Sequence, residues 1–299
     1  MFKHIWPYSL LMILVFGLGA FFALIYHEPP PELSEEIAMG DPRIFSPAKQ
    51  APRDLVLVDP EMAPPEVLEE VMRGYWILID TQKYAKEYAG DRLNCRNCHF
   101  QAGNTLGGKN GSISLVGVSH IYPRYSERAG RKISLAERIN NCFERSLNGK
   151  PLPLDGPEMR GILAYLEWIS SPVKNYREFP WLGLPQIVKE YRPNRANGEK
   201  QYQKHCAACH KADGRGTSLP VEEQVLDIPP LWGPESFNDG AGMNRISMFA
   251  PFIWLNMPYM EPVLTEEEAM DIADYVTGQP RPKFIPKQQG ESVFDKEKS

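Results

Sequence analysis

Two short stretches hold residues that could do chemistry together: "CRNCH", with Cys95, Cys98 and His99, and "CAACH", with Cys206, Cys209 and His210. Cysteines three apart stand about one helical turn from each other, so both can form thioethers with the vinyl groups of one porphyrin while the next residue turns an imidazole to the iron. A zinc pair, a redox dithiol or a disulfide would use the same cysteine spacing. Two zinc sites, however, would need further Cys or His ligands, and outside the motifs the chain has one cysteine and four histidines. A His-terminated motif that occurs twice points to two covalently bound c-type haems, with His99 and His210 on the irons.

With haem accepted, both modules resemble class I cytochrome c. Each runs helix, CxxCH, a long loop-rich stretch, then a closing helix: "GPEMRGILAYLEWI" in the first and "LTEEEAMDIADYV" in the second, the latter opened by a capping box of Thr265 with Glu268. The resemblance implies a mainly α fold and a distal iron ligand, usually Met, in the loop before the last helix. In the second module Met257 of "NMPYM", followed by Pro just ahead of the closing helix, is the expected ligand, and Met243 of "GAGMNR" is the alternative; Met248 and Met270 read as core. The corresponding region of the first module has no Met apart from Met159, which belongs to the closing helix. Cys142 stands in that slot, with His120 of "GVSHIYPRY" as its rival.

A lone cysteine is commonly a small buried hydrophobe. The surroundings of Cys142 argue for more. "SLAERINNCFERSLNG" reads as one helix, capped by Ser134 with Glu137 and ended by Gly149, which would put Arg138, Arg145 and Ser146 on the side of Cys142. Between His120 and Lys150 there are seven Lys or Arg against three acids. Such a concentration of positive charge in an acidic chain is either a solvated basic face or a site that holds a thiolate and attracts an anion.

The segments "CRNCHFQAGN", "GVSHIYPRYSERAG", "RINNCFERSLNGKPLPLDGPEMRGILAYLEW", "CAACHKADGRG", "PPLWGPESFNDGAGMNR" and "NMP" together resemble the dihaem thiosulfate dehydrogenases, over about residues 66 to 278. That resemblance implies oxidation of two thiosulfates to tetrathionate at a haem ligated by His99 and Cys142. Electrons would then pass through a second haem, ligated by His210 and Met257, to a cytochrome c, a high-potential iron–sulfur protein or a terminal oxidase. Some members of the family use a Lys beside the Met; here that neighbour is Asn256. The resemblance also implies that the Cys142 sulfur takes up substrate sulfur. Arg128, Arg138 and Arg145 would then screen the substrate anions, with Ser146 donating to a sulfonate oxygen; Arg138 or Arg145 could instead hold haem propionates.

The elements that must position these groups divide the chain. Residues 5–26 carry no charge and as a helix would span roughly 33 Å, enough for a bilayer core. We expect a membrane anchor over residues 1–27, with a cleaved signal peptide as the competing reading. Lys3 ahead of it puts the remaining chain on the outer side, in a bacterium the periplasm. A tether with nine prolines follows over 28–65. The first cytochrome c domain is expected over 66–170, a linker over 171–194, the second domain over 195–279 and a disordered tail over 280–299. The formal charge of −5 argues against a nucleic-acid partner. Three rival functions remain open: a membrane-anchored dihaem electron carrier with no substrate of its own, a related thiol–haem role in sulfur oxidation in which the cysteine acts on a carrier-bound sulfur, and tetrathionate reduction by the same site.

Overall fold

The computed structural model describes residues 55–90, 92–187, 190–221 and 224–286. The expected anchor, most of the tether and the end of the tail lie outside the described residues. Among the described residues no helix is long and apolar enough to cross a membrane.

The helices are α1 (Pro65–Ile79), α2 (Thr81–Tyr84), α3 (Leu135–Asn141), α4 (Pro157–Ser170), α5 (Arg195–His205), α6 (Ala207–His210), α7 (Ile246–Asn256) and α8 (Glu266–Thr277). Two antiparallel ribbons accompany them. β1 (Arg124–Ser126) pairs with β2 (Arg131–Ile133), with Arg124 opposite Ile133. β3 (Thr217–Val221) pairs with β4 (Gln224–Ile228), with Thr217 opposite Ile228.

Each half is built on one helix crossing. In the first, Pro65 and Pro157 start α1 and α4 at positions where a missing N–H costs nothing. The helices bury Val71, Ile77 and Leu78 against Met159, Ile162 and Tyr165. They cross at Gly74, where an added Cβ would lie 2.1 Å from the Gly161 carbonyl oxygen. In the second half α5 crosses α8 at Gly198, where a Cβ would lie 2.0 Å from the Asp271 carbonyl oxygen. Tyr202, Trp232 and Tyr275 pack beside that crossing with ring centroids 5.0 to 5.9 Å apart. Glycine at each crossing lets the two backbones approach closely.

The two halves are joined by hydrogen bonds. Asn110 N–H donates to the Leu255 carbonyl at 2.8 Å, and Ser112 N–H to Asn256 Oδ1 at 2.8 Å. Arg92 reaches across to the Arg215 carbonyl at 2.7 Å and to Asp227 at 3.1 Å.

Three sequence expectations change. The tether is bound over its last residues, because the Val58 and Asp59 carbonyls accept from Asn104 and Trp168 of the first half. The tail is likewise docked as far as Phe284: Asp239 accepts from Phe284 N–H at 2.7 Å, and the Arg281 guanidinium stacks on Phe237. These chains carry their own aromatic and hydrogen-bonding anchors, which low hydropathy does not reveal. The expected single helix over 134–149 keeps α geometry only to Asn141, and Cys142–Ser146 forms a wider π turn.

Candidate functional site

Cys142 is placed by local chemistry. Ser134 Oγ accepts from Glu137 N–H at 3.1 Å and the Glu137 carboxylate accepts from Ser134 N–H at 2.8 Å, which starts α3 as a full capping box. One turn later, Arg138 Nη1 donates to the Cys142 sulfur at 2.7 Å. At Cys142 the helix widens, so Leu147 N–H donates to the Cys142 carbonyl. The carbonyls of Glu144 and Arg145 accept instead from Asn238 of the second half, at 2.8 and 3.1 Å. A residue from the far half therefore supports the π turn, a feature that often marks functional sites.

The charge around this sulfur is dominated by guanidinium groups. Arg138 is held as a cation above its ordinary range, first by the Cys142 sulfur and then by Tyr122, to which it also donates. Burial, followed by the charges of Arg245 and Arg138, pushes Arg128 down. Burial and then the Arg128 charge do the same to Arg145. Arg128 thus lies within electrostatic reach of Arg138, Arg145 and Arg245, and Arg138 and Arg145 of the Cys142 sulfur, an arrangement that favours a bound anion.

The predicted residues do not all aim as α spacing suggested. Arg138 contacts Cys142. Arg145 turns aside: its Nη1 bonds Asn141 and its guanidinium lies 4.4 Å from the Phe284 ring, while its Nε is buried without a partner. Arg128 donates to the Gly240 carbonyl of the second half at 2.6 Å. Ser146 closes the π turn and is half-buried. His120 donates Nε2–H to the Ser170 carbonyl at 2.9 Å and stacks on Phe179, so this nitrogen is engaged in the fold.

Tyr122 and Arg245 were missed by the sequence reading. Tyr122 carried no signal beyond its place in "SHIYPRY". Arg245 lies about a hundred residues from Cys142, and only the folded chain brings it to Arg128.

Both motifs fit a haem. Burial drives the His99 imidazole down to about 4 and lowers His210 as well, so both rings are neutral at pH 7. His99 Nδ1–H donates to the Ile113 carbonyl at 2.8 Å and His210 Nδ1–H to the Pro229 carbonyl at 3.0 Å. Each Nε2 lone pair is thereby left for a metal, the second-sphere arrangement that fixes the tautomer of a ligating histidine. Burial pushes the Cys95, Cys98 and Cys206 thiols up to about 12, which suits neutral thioether formation better than thiolate ligation. Among the described residues no three His, Cys, Asp or Glu side chains converge as a metal cage would require. Cys142 lies within electrostatic reach of both Cys95 and Cys98.

The candidate distal methionines separate by position. Met257 ends α7, half-buried against the core. Met243 is buried on the short turn Gly242–Asn244, which packs against Cys142–Ser146 on the first-half side. Met260 is 73% exposed.

Residues 81–174 match the SoxA/TsdA cytochrome c domain family, and residues 193–276 match the family described as cytochrome c oxidase, cbb3-type, subunit III. The chain therefore contains two cytochrome c domains, which carry two c-type haems. It is 43% identical to a thiosulfate dehydrogenase of Allochromatium vinosum, over 72% of this chain and 80% of that one. It is 34% identical to a thiosulfate dehydrogenase of Thiomonas intermedia, over 92% and 84% respectively. Among solved structures, thiosulfate dehydrogenase (TsdBA) from Marichromatium purpuratum superposes with a TM-score of 0.67 at 29% identity. The match covers 84% of this chain, which spans about half (53%) of that one.

Proposed function

Because the chain belongs to the thiosulfate dehydrogenase family, we propose that it oxidises two thiosulfates to tetrathionate, with the sulfur chemistry at Cys142. The observation that carries this reading is the 2.7 Å contact from Arg138 to the Cys142 sulfur inside a cluster of arginines.

Two c-type haems would be held through Cys95, Cys98 and His99 together with Cys142, and through Cys206, Cys209 and His210 together with Met257, and would supply one-electron acceptors for the two electrons the reaction releases. The protein's own part is to hold a thiolate and bring anions to it. Arg138 stabilises the Cys142 thiolate, and Tyr122 engages the same arginine. The thiolate and the terminal sulfur of a first thiosulfate form an S–S bond with loss of two electrons. A second thiosulfate attacks the substrate-derived sulfur of that bond, which releases tetrathionate and returns Cys142 as thiolate. No proton is exchanged. In a low-dielectric pocket the approach of a second dianion costs on the order of several kcal/mol unless cations screen it. Arg128 and Arg245 supply that screening, and Arg145, turned toward Phe284, adds its charge. Ser146 stands at the end of the same turn.

The segment 5–26 serves as the inner-membrane anchor, with the haem domains in the periplasm. Electrons pass to a cytochrome c, a high-potential iron–sulfur protein or a terminal oxidase. Intact mass measurement of the mature chain tests whether the anchor is retained.

The deciding experiment is the visible spectrum of the oxidised holoprotein before and after addition of thiosulfate. We expect reduced c-type haem bands in the wild type and none in Cys142→Ala with both haems still attached. Reduction of Cys142→Ala as fast as the wild type would refute the assignment.

A further inference from the structure

The loop that follows Met257 displays apolar side chains to solvent. Tyr259 and Val263 are each 57% exposed and Met260 is 73% exposed. Met260 stands at φ 72°, a left-handed backbone conformation unusual for a residue with a side chain. The surroundings hold this presentation in place. Glu261 N–H donates to the Pro258 carbonyl at 3.0 Å, and Asn110 Nδ2 of the first domain donates to the Met260 carbonyl at 3.4 Å. The Tyr259 ring sits edge-on to Phe100 at 5.3 Å, and Phe100 in turn to Phe252 at 6.0 Å. A rigid loop thus offers a flat apolar surface three residues beyond the expected ligand of the second haem.

We propose that Tyr259, Met260 and Val263 are the contact patch for a soluble electron-carrier protein whose own contact face is apolar at its centre and basic at its margin. The inference rests on the reading above that electrons leave through the second domain. Charge selects the partner: Glu261 directly follows Met260 and Glu266 stands three residues after Val263 in the chain, while Lys109, next to Asn110, is a base on the side of the first domain. An acidic margin steers a basic partner and weakens with salt. The scale is also appropriate, since transient redox encounters bury less than about 1,200 Å² in total. Tyr and Met are typical of the apolar centre of such contacts, and a flexible thioether adapts to more than one partner.

The test uses the holoprotein reduced chemically and freed of reductant, so that it does not depend on thiosulfate being the substrate. The reduced protein is mixed by stopped flow with an oxidised basic c-type cytochrome, and in parallel with an acidic one, over a range of salt concentrations. One electron passes per encounter, from the reduced dihaem protein to the oxidised cytochrome. We expect faster oxidation by the basic cytochrome, with a rate that falls as salt rises. The double substitution Tyr259→Ser with Met260→Ser should lower the second-order rate tenfold or more, and Glu261→Lys with Glu266→Lys should flatten the salt dependence. The haem spectra and the thiosulfate-driven reduction of these variants should be unchanged. An unaltered rate in the patch variants, or a preference for the acidic cytochrome, would overturn the proposal. So would self-association of the wild type that the patch variant loses, because the occupant would then be a second copy. If the wild type fails to react with thiosulfate but the patch variants still slow chemical electron transfer, the functional reading falls and the patch stands.

Discussion

Asn256 Oδ1 accepts the Ser112 N–H at 2.8 Å, and Asn256 is fully buried. The bond links the residue before Met257 to the loop whose next carbonyl, that of Ile113, accepts from the His99 ring. Asn256 Nδ2 is spent on the Phe252 carbonyl at 2.9 Å, so both ends of its amide are fixed. Asn256→Ala leaves a buried N–H of the partner domain unsatisfied, and we expect a loss of about 1–3 kcal/mol. The urea unfolding midpoint of the holoprotein measures it; an unshifted midpoint would mean that water replaces the amide at no cost.

Arg138 and Tyr122 form one unit with Cys142. Hydrogen bonds to a charged group are worth about 1.5–3 kcal/mol, so Arg138→Gln should slow thiosulfate-driven haem reduction by about 10- to 100-fold. Tyr122→Phe should slow it less, and Arg138→Lys should restore only part of the rate because ammonium lacks the planar fork. Rapid-mixing kinetics at saturating thiosulfate separates these; equal rates in Gln and Lys variants would show that charge is not what Arg138 contributes.

Arg128 and Arg245 sit farther from the sulfur and act on the approach of the anion. Their substitution by Ala should raise KM for thiosulfate more than it lowers kcat, with an effect that shrinks as salt rises. Steady-state kinetics at two ionic strengths tests this, and a fall confined to kcat would assign them to the chemical step.

Gly74 and Gly198 carry the two helix crossings. A methyl group at either would meet a carbonyl oxygen near 2 Å, so each Gly→Ala change should cost about 1–3 kcal/mol or more by forcing the helices apart. Thermal unfolding of the holoprotein measures both, and a variant of wild-type stability would mean that the crossing adjusts freely.

The docked tail should respond to acid. Asp239 is held below its ordinary carboxylate range, chiefly by the Phe284 N–H and then by Lys283. A depressed folded pKa contributes stability that is present above the unfolded value, near 3.9. That contribution is lost as pH falls through the lower folded value. Proteolysis of the tail should therefore rise in strongly acidic buffer, and Asp239→Asn should show that susceptibility already at neutral pH. Equal cleavage of both proteins at pH 7 would rule out Asp239 as the latch.

Much of the local architecture was legible because its causes are local. The capping boxes at Ser134 and Thr265 involve partners three residues apart, so they can be read directly and are present. α1 buries Val71, Ile77 and Leu78 at helical spacing, while Val67 near its start is 42% exposed. The π turn at Cys142 was not legible. Its sequence is compatible with α geometry, and the carbonyls of Glu144 and Arg145 are captured by Asn238, almost a hundred residues away.

The sequence by itself determined the covalent possibilities: two CxxCH motifs, an unpaired Cys142, and an arginine one helical turn before it. Those depend on residue type and on spacing shorter than a turn or two. Tertiary structure alone decided which cations share the site. It turned Arg145 toward Phe284, tied Arg128 to Gly240, brought in Arg245, and joined Ser112 to Asn256. Each of these contacts spans more than a hundred residues, and their geometry is set by how two domains pack, which no local pattern of side chains encodes.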